Sequence, residues 1–454
     1  MFLRFVLALA AVLAPFTGAL HAGDEVYRDS ITLKNGKVIE GRILERNNPE
    51  QLVLYQKTRS KEYDHEDIAS IHTVRDDLDK FMTGHSPNLT VEEEWRRVQE
   101  AMGLGLDSMA RVQAWKVLTL DPQHGGANEH LGHKRIAGEY RWVWRKKQQK
   151  PKDFAEQIQE WSKRFVLESE HYVVETNTTV GQAVNIIHDL ELVYLYWMQE
   201  FGEELWTGED VYDKNHKMTF WVYQDKSDKG YKLYYNSKRE PFYNPSTVTS
   251  TDRSNPNLAI SYYKEGTGER PVDFFNVAIQ QLMYSTLVLS RKRGYIPITE
   301  YTIPAHWAEL GMGFWLGRQF GGPAGYARHQ RFVVDSRNRE LASRRILRGP
   351  LSNGLKRREV TNLIGLERRY YYVTSQDNVN ELYRAKARSF FRFLVEADPE
   401  VISNRRVVGY GRAGVMGYLR DVYIMPTSHS SKSFDKALGG KVELLYDGWV
   451  KWRQ

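Results

Sequence analysis

The chain has 454 residues, a formal net charge of +7 and no cysteine. That length exceeds one simple domain, and an apolar fraction of 41% is enough for sizeable cores, which excludes wholesale disorder. Without cysteine the chain has no disulfide staples, no thiol chemistry and no lipid-acylated cysteine.

In chain order, Arg4, the apolar run from Val6 to Phe16 and the triplet Leu20-His21-Ala22 form the pattern of a secretory signal cut near Ala22. The run is shorter than the roughly 20 residues of a membrane span. The expectation is an exported chain, periplasmic or extracellular, soluble after cleavage and without a transmembrane segment. Next, Ile31-Thr32-Leu33, the turn Lys34-Asn35-Gly36-Lys37 and the run Val38 to Leu44 predict a hairpin, with Asn-Gly supplying two residues at φ > 0. Leu52 to Tyr55 and Ile68 to His72 add short strands. The stretch from Asp29 to Gly41 resembles SH3-like and Sm-like modules of exported bacterial proteins. The resemblance implies a small β-barrel over residues 23–75 that binds or docks.

Residues 76–144 read as helical. Glu92-Glu93-Glu94 suit a first helical turn, and Ala110, Ala114, Trp115 and Leu118 recur at helical spacing up to Leu120-Asp121-Pro122. One such helix pair resembles a tetratricopeptide unit and implies a brace. A short hairpin over Gly138 to Val143 closes it. The charged stretch 145–165, with Pro151 and no apolar periodicity over its first residues, is expected to be a linker. Basic clusters occur here, at Arg145-Lys146-Lys147, and at Arg344-Arg345, Lys356-Arg357-Arg358, Arg368-Arg369 and Arg405-Arg406. Acids are interspersed and no nucleic-acid motif accompanies them, so they read as solvated faces and no nucleic-acid partner is expected.

Residues 166–454 form the largest expected domain. Strands at His171 to Thr176, Met218 to Tyr223 and Leu258 to Tyr263 precede long helices at about 271–291, 303–319 and 380–397, with one helix over Gly181 to Phe201 among the strands. This order predicts an α+β class, and the whole chain a multidomain α+β protein.

Two segments carry the functional argument: Asn276-Val277-Ala278-Ile279-Gln280-Gln281-Leu282-Met283-Tyr284 and Trp307-Ala308-Glu309-Leu310-Gly311-Met312-Gly313-Phe314-Trp315. Together they resemble the framework of the gluzincin (peptidase MA-like) secreted metallopeptidases, in degenerate form. The family places His-Glu-x-x-His on one helix and a glutamate in a pattern near Trp-Leu-x-Glu-Gly-x-Ala-x-Tyr on the next. Here Ile279 and Met283 stand at the histidine positions, Gln280 at the general base and Leu310 at the third ligand, while Trp307 and Gly311 match the framework. Gly313 replaces the Ala and Trp315 the Tyr. The tail, Ser433 to Gly440 and Leu444 to Trp449, resembles the family's closing helices.

Ile and Leu carry no donor atom, a thioether suits Cu(I) rather than zinc, and Gln has no proton to exchange at neutral pH. The resemblance therefore implies a pseudopeptidase with no catalytic residues, no metal ligands and no zinc or other cofactor. Ile279, Met283 and Leu310 are expected to pack together as an apolar plug. Gln281, Tyr284, His306 and Glu309 are the candidate polar groups of a retained cleft. The implied partner is a peptide, a protein or a cell-envelope component. Two alternatives stay open: an active zinc peptidase whose site is remodelled around His306 and Glu309, and a structural envelope or assembly protein. A second histidine group, His124, His130 and His133 with Glu129, reads as surface residues more readily than as metal ligands.

Overall fold

A computed structural model describes residues 29–45, 50–56, 59–83, 89–202, 217–225, 227–232, 250–252, 255–263, 271, 274–283, 306–319, 377–397, 411–424 and single residues or pairs between 434 and 452. The chain divides between Thr73 and Val74 into two compact units. Its class is mixed: helices and several small sheets, an α+β composition. Among the described residues no helix is long and apolar enough to cross a membrane.

The first unit is one antiparallel sheet. Its strands are β1 (Asp29–Leu33), β2 (Val38–Glu45), β3 (Gln51–Gln56), β4 (Arg59–Asp64) and β5 (Ile68–His72), in the order β4-β3-β2-β1-β5. A 3₁₀ turn, His65–Asp67, lets the chain pass from β4 to the far side of β1. Ile31, Ile39, Leu52 and Leu54 form its core. The hairpin is present, but its turn differs from the expected two-residue type. Only Gly36 takes a positive φ, 81°. Asn35 instead accepts from the Lys37 amide through Oδ1 at 3.0 Å, and the Leu33 amide closes on the Lys37 carbonyl at 2.9 Å.

The second unit begins with α1 (Val74–Thr83), α2 (Val91–Gly103), α3 (Asp107–Leu120) and α4 (Gly125–His130). Thr90 caps α2 in a reciprocal box with Glu93. A three-stranded meander follows: β6 (Lys134–Ile136), β7 (Glu139–Trp144) and β8 (Lys147–Gln149). The expected linker over 145–165 is folded. Arg145 and Lys146 form the β7–β8 turn with φ of 48° and 65°. Pro151 opens α5 (Pro151–Gln157), a position where its missing N–H costs nothing. Phe154 and Ile158, one helical turn apart, are fully buried. The Trp115 ring of α3 gathers Trp142, Phe154 and Phe165 at centroid distances of 5.1, 5.7 and 5.1 Å. The described residues of 76–144 and of 166–454 therefore share one hydrophobic core, to which Phe154, Ile158 and Phe165 of the stretch between them also belong.

The second sheet has the order β12-β13-β11-β10-β9. Its strands are β9 (Phe165–Glu168), β10 (Tyr172–Thr176), β11 (Met218–Tyr223), β12 (Ser250–Asp252) and β13 (Asn255–Tyr262). The central three, β10, β11 and β13, are parallel; the outer two pair antiparallel. A long apolar helix, α6 (Val180–Trp197), lies between β10 and β11 in sequence and continues as a π turn, Met198–Gly202. Alternation assigns the two faces. Met218, Phe220 and Val222 join the large core, whereas Tyr223, Leu258, Ile260 and Tyr262 form a smaller one with Tyr231, on which Trp161 and Trp221 pack. The helices α7 (Phe274–Met283), α8 (His306–Gln319), α9 (Asp377–Glu396) and α10 (Arg412–Ile424) complete the described elements. Of the expected closing helices, the buried residues Phe434, Leu445 and Trp449 are described.

Candidate functional site

α7 follows β13 and packs on both β13 and β12. Its Phe274 meets Phe220 of β11 at 5.7 Å. On the other side α7 packs on α8, and both helices lean on α6. Ile279 and Met283 are fully buried, Leu310 is 5% exposed, and all three belong to the same core. Gln281 is also fully buried and donates Nε2–H to the Thr219 carbonyl of β11 at 2.8 Å. It ties α7 to the sheet and does not stand in an open cleft. Gln280 and His306 lie on α7 and α8, with their side chains outside the described atoms; Tyr284 lies outside the described residues.

α8 is enclosed along its described side chains. Residues 307–315 are buried on every face, because α7, α9 and α6 surround them. Glu309, a candidate polar group of the cleft, is in the first turn of α8 and only 1% exposed. Trp307 donates Nε1–H to the Tyr418 hydroxyl of α10 at 3.3 Å, and Trp315 donates to Glu396 of α9 at 3.0 Å. A Cβ on Gly311 would lie 2.2 Å from Phe391 Cβ and 3.1 Å from the Ala387 carbonyl, so glycine sets how closely α8 meets α9.

The second histidine group is dispersed over separate structural tasks. His124 caps α4, its Nδ1 accepting from the Ala127 amide at 3.2 Å. Glu129 accepts from the Tyr140 hydroxyl at 3.0 Å. His133 is 6% exposed, contrary to the surface reading, and its Nδ1 accepts from the Val143 amide at 3.1 Å. Burial, with the charge of Arg111 adding, pushes its imidazole down to about 4. Among the described residues no group of three His, Asp or Glu side chains is placed to hold a metal ion. The basic clusters after residue 340 fall outside the described residues.

One polar cluster escaped the sequence reading. Glu191, in the apolar α6, is fully buried. Its carboxylate accepts from Ser169 Oγ at 2.5 Å, from the His171 amide at 2.8 Å and from His171 Nδ1 at 2.8 Å. Burial drives this carboxyl upward, but the His171 charge and the hydrogen bonds from His171 and Ser169 outweigh it and hold the group below its ordinary value. The serine and the histidine both bind the glutamate rather than forming a relay through it, so the trio lacks the nucleophile–base contact of a hydrolase triad. Glu191 lies 20 residues from His171 and 22 from Ser169, and no local spacing announces them.

No protein-family model, curated protein or solved structure matches the chain.

Proposed function

We propose that the protein is an exported, non-catalytic relative of the gluzincin metallopeptidases that acts by binding a peptide, a protein or an envelope component. One observation carries this reading: Ile279, Met283 and Leu310 are buried in a single core where α7 packs on α8. These are the positions that the resemblance assigns to the metal ligands. Their side chains suit one another as packing partners, each contributing about 1.5–3 kcal/mol on burial. Gln281, committed to the Thr219 carbonyl, further supports a helix fastened to the sheet. For the first unit, the strand order with a 3₁₀ turn before β5 supports an SH3-like barrel that recruits the partner. The α2–α3 pair supports the tetratricopeptide-like brace.

Metal content of the purified chain, measured with a peptidase assay, tests the reading. The expected result is no stoichiometric zinc and no chelator-sensitive cleavage. Zinc at one equivalent with such cleavage would overturn it in favour of a site remodelled around His306 and Glu309. Pull-down from envelope extracts with and without residues 23–75 tests the docking role, with loss of capture expected on deletion.

A further inference from the structure

The turn between β9 and β10, residues 169–172, is held from two sides. From α6, Glu191 takes the three hydrogen bonds of Ser169 and His171. From the residue before β11, Lys217 donates to the Ser169 carbonyl at 2.6 Å and to the Glu168 carboxylate. The two grips differ in chemistry. A hydroxyl, an amide and a ring N–H all donate to Glu191, so its carboxylate serves only as an acceptor. Lys217 holds the turn itself through the Ser169 backbone carbonyl, which carries no titratable proton, and its second contact, the Glu168 carboxylate, lies at the end of β9. Above Glu191, Tyr194 stacks on the His171 ring at 3.8 Å and 21°, sealing the contact between α6 and the turn.

We propose that Glu191 is an acid-operated latch: taking up a proton releases α6 from the β9–β10 turn, while Lys217 keeps that turn on the sheet. A protonated carboxyl gives up the ion pair with the His171 ring and presents a donor where an amide and a ring N–H already donate; the one partner able to receive it is the Ser169 hydroxyl, whose Oγ already accepts from the Tyr172 amide at 3.3 Å. The loosened element matters because α6 is the bed for α7 and α8. Through its π turn it also reaches α10, where Arg412 pairs with Glu200 at 3.1 Å.

The sign follows from the direction of the shift. Glu191 is held below its ordinary value in the folded chain, so its contribution is whole above the ordinary carboxylate range and is lost as pH falls through the folded value. His171 is the one charged group that acts on it. Other ionisable groups on the elements that meet α6 are His188 and Asp189, buried on α6 itself, Glu170, part-buried in the turn, Glu175 of β10, which pairs with Arg164, Glu309, buried on α8, and the Lys217–Glu168 pair. α1 and α3 bring no buried charged side chain, and among the described side chains of α7 the polar one is Gln281, which is not titratable.

Hydrogen exchange of the full chain, read by mass spectrometry at pH 7 and pH 3 and corrected for intrinsic rates, tests the latch. Peptides from α6 are expected to lose protection by about tenfold or more in acid, while β10 keeps its own. Glu191→Gln should remove that acid step. His171→Phe, which keeps an aromatic ring against Tyr194, should move the midpoint to higher pH. Unchanged protection of α6 at pH 3 overturns the proposal, as does an acid step that persists in Glu191→Gln. Should that variant not fold, an unmoved midpoint in His171→Phe overturns it equally.

Discussion

Two helical glycines should respond to the same substitution with opposite signs. Replacing an interior helical glycine by alanine gains about 1 kcal/mol of helix propensity when the added methyl meets nothing. On α10 a Cβ at Gly417 has no neighbour within 4 Å, so Gly417→Ala should gain about 0.5–1 kcal/mol. On α8 a Cβ at Gly311 would lie 2.2 Å from Phe391 Cβ, 2.6 Å from Phe391 Cγ and 3.1 Å from the Ala387 carbonyl. A Cβ and a carbonyl cannot rotate away, so α8 and α9 must separate along a seam that also holds Trp307 and Trp315. Overpacking of this kind costs about 1–3 kcal/mol, and here more than the propensity gain, leaving a net loss of about 1–2 kcal/mol. Calorimetric melting at one scan rate reads both variants, with a drop of a few degrees for Gly311→Ala and a small rise for Gly417→Ala. The reasoning fails if Gly311→Ala melts at or above the parent, because α8 and α9 would then not meet at this glycine.

Three further substitutions probe other parts of the second unit. His133 is pushed down to about 4 in the fold against an ordinary 6.5. Its contribution is therefore full above about 6.5 and falls away between there and about 4, because the unfolded chain takes the proton first. The loss amounts to about 3 kcal/mol at most; His133→Gln, which keeps an acceptor for the Val143 amide, should flatten that window in urea midpoints measured across pH. Thr90→Ala removes the hydroxyl that accepts from the Glu93 amide and should cost about 1 kcal/mol, read as a lower melting point. Lys146→Gly relieves a residue held at φ 65° and should raise the melting point by up to about 1 kcal/mol equivalent.

The elements with a clean period were legible. The strands β10, β11 and β13 and the helices α6 to α9 announced themselves by apolar spacing, although the expected helix over 271–291 is described only for Phe274–Met283. The stretch 145–165 was not legible, for a physical reason. Its opening turn uses Arg145 and Lys146 at positive φ, where Asn-Gly would have been a signal, so a polar run looked like a spacer. Phe154 and Ile158 did carry a helical spacing after Pro151, and Pro at a first helical position was the sign to weigh. The hairpin at Asn35-Gly36 shows the converse: the motif marked a turn correctly, yet the side chain of Asn35 made an Asx contact in place of the second positive φ. Glu191 illustrates what period alone hides. A carboxylate inside an apolar helix reads as an interruption until the fold brings Ser169 and His171 to it.

The proposed vacancy of the site agrees with the way α7 and α8 are enclosed. Side chains 307–315 of α8 are buried on all sides, and so are Val277, Ala278, Ile279, Gln281, Leu282 and Met283 on α7. Two histidines and two glutamates in that seam would each need a partner, since an unpaired buried polar group costs several kcal/mol. An ion would supply that partner, and apolar side chains remove the need for one. Of the polar groups that persist, Gln281 donates to the Thr219 carbonyl, and Trp307 and Trp315 each donate to a hydroxyl or a carboxylate. The aliphatic set at 279, 283 and 310 is thus consistent with its surroundings at the level of packing as well as of chemistry. Placing a single ligand of the proposed framework here, for example Met283→His, would put a polar ring in this core without the other three groups that a metal site needs, and should destabilise the chain rather than recruit zinc.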